Sequence, residues 1–197
     1  MVTVRSHRGG DTADRILDVA QRLVQQRGFN GFSYADVAEE LGITTAALHY
    51  HFAGKAELGE ALVARYASRF AQALDVIATE PLDAPAKLER YAGLYAEVFR
   101  DQRMCLCGML AAEFQTLPDA MREGVLRFFD HSEAWLRDVL EQGVREGTVA
   151  FDGTASEAAR TFLAGLEGAM LLARPSGDIE RLEAASRGLL TGLTSVS

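Results

Sequence analysis

The stretch Ser33-Tyr34-Ala35-Asp36-Val37-Ala38-Glu39-Glu40-Leu41-Gly42-Ile43-Thr44-Thr45-Ala46-Ala47-Leu48-His49-Tyr50-His51-Phe52 encodes two short helices and the corner between them. Ser33 to Asp36 is a variant of the capping box, in which a hydroxyl and a carboxylate satisfy each other's backbone amides. Val37, Ala38 and Leu41 then recur on one helical face. Gly42 ends the first helix, because glycine accepts a left-handed turn without steric cost. Thr44 or Thr45 caps a second helix that runs to Phe52, with Ile43, Leu48 and Phe52 facing inward and Thr44, Thr45, Ala46, His49 and Tyr50 facing out. The spacing alone fits a helix-turn-helix and two ordinary helices of a bundle equally well.

Outward from this stretch, the chain reads as helix almost throughout. Upstream, Ile16, Leu17, Ala20, Leu23 and Val24 form a stripe of 3.6-residue period behind a cap at Asp11 or Thr12, and Gly28 stops it. Downstream, a long helix from about Lys55 to Thr79 carries Leu58, Leu62, Tyr66, Phe70, Leu74 and Ile77. Pro81 and Pro85 punctuate the next connection. They precede a helix carrying Leu88, Tyr91, Leu94, Val98 and Phe99, opened by Asp83 or Ala84. The pattern predicts an apolar helix from Met104 to Thr116, one from Pro118 to about Glu146, and two more near Ser156 to Ala173 and Asp178 to Leu193. No run alternates with the two-residue period of a half-buried strand. The expected fold is all-α with about nine helices.

Composition narrows the function classes. The 197 residues are 48% hydrophobic, enough for a substantial core. Met1 to Gly10 has no apolar run of a secretory signal, and Met104 to Ala112 falls well short of a membrane span. Cys105 and Cys107 give no disulfide framework. These features predict a cytoplasmic protein away from the membrane. The net charge of −8 arises after Lys55, since cations and anions balance up to that residue. An acidic body attached to a neutral head permits DNA binding at one face. No phosphate loop, dinucleotide fingerprint, nucleophile elbow or metalloprotease motif is present, so neither an enzyme nor a cofactor is expected. His49 and His51 diverge on a helix, which disfavours a metal site, and nothing pairs His131 with a cysteine as a catalytic dyad.

Residue order resolves the ambiguity of the two short helices. Gly28-Phe29, Ser33 to Ala38, Leu41-Gly42-Ile43, Leu48 to Phe52, then Lys55 and Leu58 together resemble the TetR family of transcriptional regulators. The resemblance implies a head of residues 1–54 that binds double-stranded DNA and a body of residues 55–197 that binds a small molecule and dimerises. It implies a ligand-responsive repressor on a palindromic operator. By position it places Thr45, Ala46, Ala47 and His49 at base edges, and Tyr34, Tyr50, His51 and Lys55 near backbone phosphates, beside Ser33 and Thr44. His49 departs from the family's usual tyrosine. Thr44 to Phe52 also lacks Arg, Lys, Asn and Gln, the side chains suited to bidentate base readout. Arg5, His7 and Arg8 would supply an N-terminal arm.

For the body, aromatic and methionine side chains offer a ligand-lining set: Tyr66, Phe70, Tyr91, Tyr95, Phe99, Met109, Phe128 and Trp135. The same stripe suits plain core. The last two helices offer Phe162, Leu166, Met170, Leu182, Leu189 and Leu190, with interior glycines, as a homodimer face, and the same stripe suits packing within one subunit. Met104 to Glu113 is similar to a segment of the family in which one branch senses electrophiles or oxidants through a cysteine matching Cys105. A helix N-terminus would lower that thiol's pKa, whereas plain burial would leave it inert.

Overall fold

The computed structural model describes residues 7–194. Among these residues there are nine α-helices and no strands: α1 (His7–Arg27), α2 (Tyr34–Leu41), α3 (Thr45–His51), α4 (Lys55–Thr79), α5 (Ala84–Arg100), α6 (Leu106–Ala112), α7 (Asp119–Glu146), α8 (Ala155–Ala173) and α9 (Ile179–Thr194). A 3₁₀ turn over Phe114–Thr116 separates α6 from α7. The all-α expectation holds. No helix among the described residues is long and apolar enough to cross a membrane.

Local caps account for most boundaries. Thr44 Oγ1 accepts from the Ala47 amide at 3.1 Å, and the Asp83 carboxylate accepts from the Ala86 amide at 3.0 Å. Thr154 and Glu157 form a reciprocal capping box at α8. Gly147, at φ 70°, ends α7 in the left-handed region. Two expectations are corrected. Helix α1 begins at His7 and not at an Asp11 or Thr12 cap, so His7 and Arg8 belong to its first turn; Arg5 lies outside the described residues. The helix expected over Met104 to Thr116 is only Leu106–Ala112, because the chain tightens at Glu113, whose side chain reaches back to the segment after α1.

The stripe of α1 is buried as its period demands and packs on α2, α4 and α6. Helix α7 packs against α4, α5, α6 and α8, and α9 packs on α5 and α8. Contact between α4 and α7 is close. A Cβ on Gly124 would lie 2.7 Å from Val63 Cγ1, and one on Gly59 would collide with Met121 and Phe29.

Candidate nucleic-acid interface and ligand cavity

The two short helices form a rigid corner. The Asp36 carboxylate accepts from the Ser33 amide at 2.7 Å and from its hydroxyl at 2.5 Å. These bonds hold Asp36 below the usual carboxylate pKa. Gly42 adopts φ 64°, and the Ile43 amide donates to Ala38 at 3.0 Å across the corner. Leu48 is fully buried and Phe52 nearly so, which fixes the inner face of α3. Thr44, Thr45, Ala46, His49 and Tyr50 face solvent, and Tyr50 is 87% exposed. Ala47 and His51 are half-buried.

His49 is oriented from below. Its Nδ1 lies 3.1 Å from the Ala53 carbonyl, an acceptor, so Nδ1 is the donor of this bond. The Tyr34 ring packs 4.8 Å from the His49 ring. Two residues expected near phosphates also make contacts within the protein. The Tyr34 hydroxyl donates to the Phe52 carbonyl at 3.1 Å, and burial followed by the charge of Glu57 pushes its pKa up to about 12. The Lys55 ammonium donates to the Phe32 carbonyl and sits 4.7 Å and 4.3 Å from the Phe29 and Phe32 ring centroids. That partial burial lowers its pKa. Lys55 is thus anchored by a hydrogen bond and cation–π contacts to the segment between Phe29 and Phe32.

Several polar bonds join head to body. Gln25 on α1 exchanges two hydrogen bonds with Met104: its side chain donates to the Met104 carbonyl at 2.9 Å, and its carbonyl accepts from the Met104 amide at 3.2 Å. The Glu113 carboxylate accepts from the amides of Phe29 at 2.5 Å and Asn30 at 3.2 Å. Arg174, just after α8, donates to the Gln26 carbonyl at 2.6 Å. None of Gln25, Glu113 or Arg174 is singled out by sequence pattern, because each partner lies far away along the chain.

A cavity of about 180 Å³ opens between α1, α4, α5 and α8 at Cys105, the residue before α6. Tyr66, Phe70, Leu94, Tyr95, Val98, Cys105 and Met170 form its body, and Gln21, Arg69 and Glu97 reach its edge. Cys105 directly follows Met104, so the cavity floor adjoins the Gln25 bonds.

Two family models match the chain. One, described as bacterial regulatory proteins of the tetR family, covers residues 16–62; the other, described as the tetracyclin repressor-like C-terminal domain, covers residues 84–189. The chain belongs to the TetR family. A TetR-family regulator from Agrobacterium tumefaciens superposes with a TM-score of 0.91 at 33% identity, covering 95% of this chain and 100% of that one. A TetR regulator from Legionella pneumophila gives 0.85 at 31%, covering 97% and 100%. The transcriptional repressor NemR of Escherichia coli K12 is 25% identical over 190 residues, 92% of this chain and 94% of that protein.

Within this TetR-family fold, the sequence-derived ligand set divides. Tyr66, Phe70 and Tyr95 line the cavity. Tyr91 is fully buried behind them, stacked 5.6 Å from Trp135, and Phe128 backs Phe70 at 5.0 Å. Phe99 is buried core, and Met109 contacts Arg174. None of these five lines the cavity. The dimer set is corrected more sharply. Phe162, Leu166, Met170 and Leu182 are at most 1% exposed within a single chain and cannot meet a symmetry mate. Leu189 covers Gly165 from α9, so that glycine serves packing inside the protomer; Leu189 and Leu190 are half-buried. The free apolar face of α8 is Ala164, Gly168, Leu171 and Leu172, with the two leucines 57% and 74% exposed.

Cys105 does cap α6, its Sγ accepting from the Gly108 amide at 3.4 Å. The thiol is nevertheless buried, and burial together with the charge of Glu167 pushes its pKa well up. Cys107 is shifted the same way for the same reasons. The lowered pKa expected from a helix N-terminus is therefore reversed, because desolvation outweighs one amide dipole.

Proposed function

We propose that this protein is a ligand-responsive repressor that binds a palindromic operator as a homodimer and releases it when a small molecule enters the cavity beside Cys105. Residues 1–54 act as the DNA-binding head and residues 55–197 as the sensing and dimerising body. The observation that carries the reading is the solvent-facing surface of α3, where Thr45, Ala46, His49 and Tyr50 project from a helix whose opposite side is locked into the core. Such a face enters the major groove N-terminus first. Two copies joined through Leu171 and Leu172 on α8 would present two such faces, and a half-site spacing of about 34–36 Å suits one DNA turn.

Release follows from adjacency. A ligand against Cys105 displaces Met104 and strains its paired bonds to Gln25, which tilts α1 and the head it supports. The ligand must bind the tilted state more tightly than the DNA-bound state, since equal affinity shifts nothing. Fluorescence anisotropy on palindromic DNA from the protein's own promoter tests the first half. Affinity should fall steeply with salt and exceed that for random DNA; equal affinity for both sequences defeats the reading. Light scattering of wild type and Leu172→Glu tests the second, with a dimer expected only for wild type.

A further inference from the structure

Glu167 is out of place among its neighbours. It lies on α8 with its carboxyl turned into the protein, and its Oε1 is sealed from water without a hydrogen-bond partner. The other oxygen rests on Gly108, where any side chain would collide with it. A buried carboxylate oxygen left without a partner is costly, so a persisting one calls for a partner that comes and goes. The Cys105 thiol and the Tyr95 hydroxyl, both of which line the cavity, lie within hydrogen-bonding reach of the carboxylate. Burial raises the pKa of Glu167. Its charge in turn contributes to the raised values of Tyr91, Tyr95, Cys105 and Cys107, the titratable groups packed around it from α5 and α6.

Among the described residues no cation pairs with Glu167. Arg69, at the cavity edge, is exposed and pairs with Asp18 at 3.6 Å. The hydroxyl of Tyr66 points to the Cys105 sulfur at 3.8 Å and is not free to donate to a ligand. The cavity therefore offers aromatic faces from Tyr66, Phe70 and Tyr95 over a floor of negative potential. Both features attract an organic cation, the faces through their quadrupoles and the floor through charge. At about 180 Å³ the space lies below the roughly 300–1,000 Å³ typical of drug-sized ligands.

We propose that the cavity takes a small aromatic or aliphatic amine, its ammonium seated on the floor made by Cys105 and Tyr95 with Glu167 as counter-charge. This names the ligand class for the repressor reading above and rests on it. The test is calorimetric titration of the full chain, without DNA, with matched series of arylalkyl amines, alcohols and carboxylates of increasing length. At least one amine should bind tenfold or more tighter than its matched alcohol, and the carboxylates should not bind. Glu167→Gln should remove that preference, and Tyr95→Phe should reduce it. If no amine outbinds its alcohol, or the preference survives Glu167→Gln, the assignment is overturned. Operator release is then measured separately by anisotropy. An amine that binds through Glu167 yet leaves the operator complex intact supports this site and defeats only the release mechanism.

Discussion

Glu113 and Glu167 are both carboxylates set against a glycine in this molecule, at Gly28 and Gly108 respectively, yet their surroundings differ in one decisive way. At the joint between head and body, Glu113 accepts from two backbone amides that have no helical partner of their own. At the cavity floor, Glu167 Oε1 accepts from nothing. The first carboxylate closes a set of bonds, which is what a structural element does. The second leaves one open, which is costly in a finished core and useful only where something is to be bound. Satisfaction of their oxygens, more than burial or residue type, separates these two carboxylates.

The largest effect should come from breaking the satisfied carboxylate. Glu113→Ala strands the Phe29 and Asn30 amides and should cost about 2–3 kcal/mol in urea unfolding, in line with hydrogen bonds to a charged group. A loss within error of zero would remove Glu113 from the joint. Next comes Gln25→Met, which leaves the buried Met104 carbonyl unpaired and should cost about 1–2 kcal/mol. It should also blunt operator release by ligand while sparing ligand affinity, a split readable by anisotropy beside calorimetry.

Glu167→Gln should act in the opposite sense and stabilise the free protein. A carboxyl whose folded pKa is raised binds its proton more readily folded than unfolded. Its charge therefore lowers stability at pH above the raised value, and that penalty fades as pH falls and Glu167 protonates. The variant's melting temperature should exceed wild type at neutral pH, with the gap narrowing toward acid. Asp36 and Glu157, whose pKa values are lowered by their capping bonds, stay ionised through that window. A gap independent of pH would show that Glu167 is not ionised in the fold.

The smallest effects are expected where side chains are already committed. Tyr34→Phe should weaken the head slightly, by about 1 kcal/mol, without changing the salt dependence of operator binding, because its hydroxyl serves Phe52 and not a phosphate. Alkylation of the native protein at neutral pH should be slow at both cysteines, and Cys105→Ser should leave operator affinity unchanged. Rapid loss of a thiol together with DNA release would restore the electrophile-sensing alternative.

How much of this was legible in the sequence follows the distance over which each interaction acts. Helix number and the caps at Ser33, Thr44 and Asp83 depend on residues within one turn, so patterning reaches them. The end of α6 depends on Glu113 meeting Phe29, and the fate of Lys55 depends on two rings upstream, so periodicity could not supply either. On α8 the stripe of Phe162, Leu166 and Met170 looks the same whether it faces its own subunit or another. Only packing shows that the former holds and that Leu171 and Leu172 remain outside. Glu167 reads as an ordinary helix glutamate until its unpaired oxygen is located.

The exposed alanine at the start of α3 has a consequence for how such a regulator changes its targets. Ala46 supports no cap, covers no core residue and faces solvent, while Thr44 and Leu48 hold the helix without it. With α3 in the major groove as proposed, a substitution there by arginine or glutamine would add a bidentate reader of guanine or adenine while the scaffold stayed as it is. The position is open to drift, and a duplicated copy of this protein could acquire a new operator through one codon without first surviving a loss of fold.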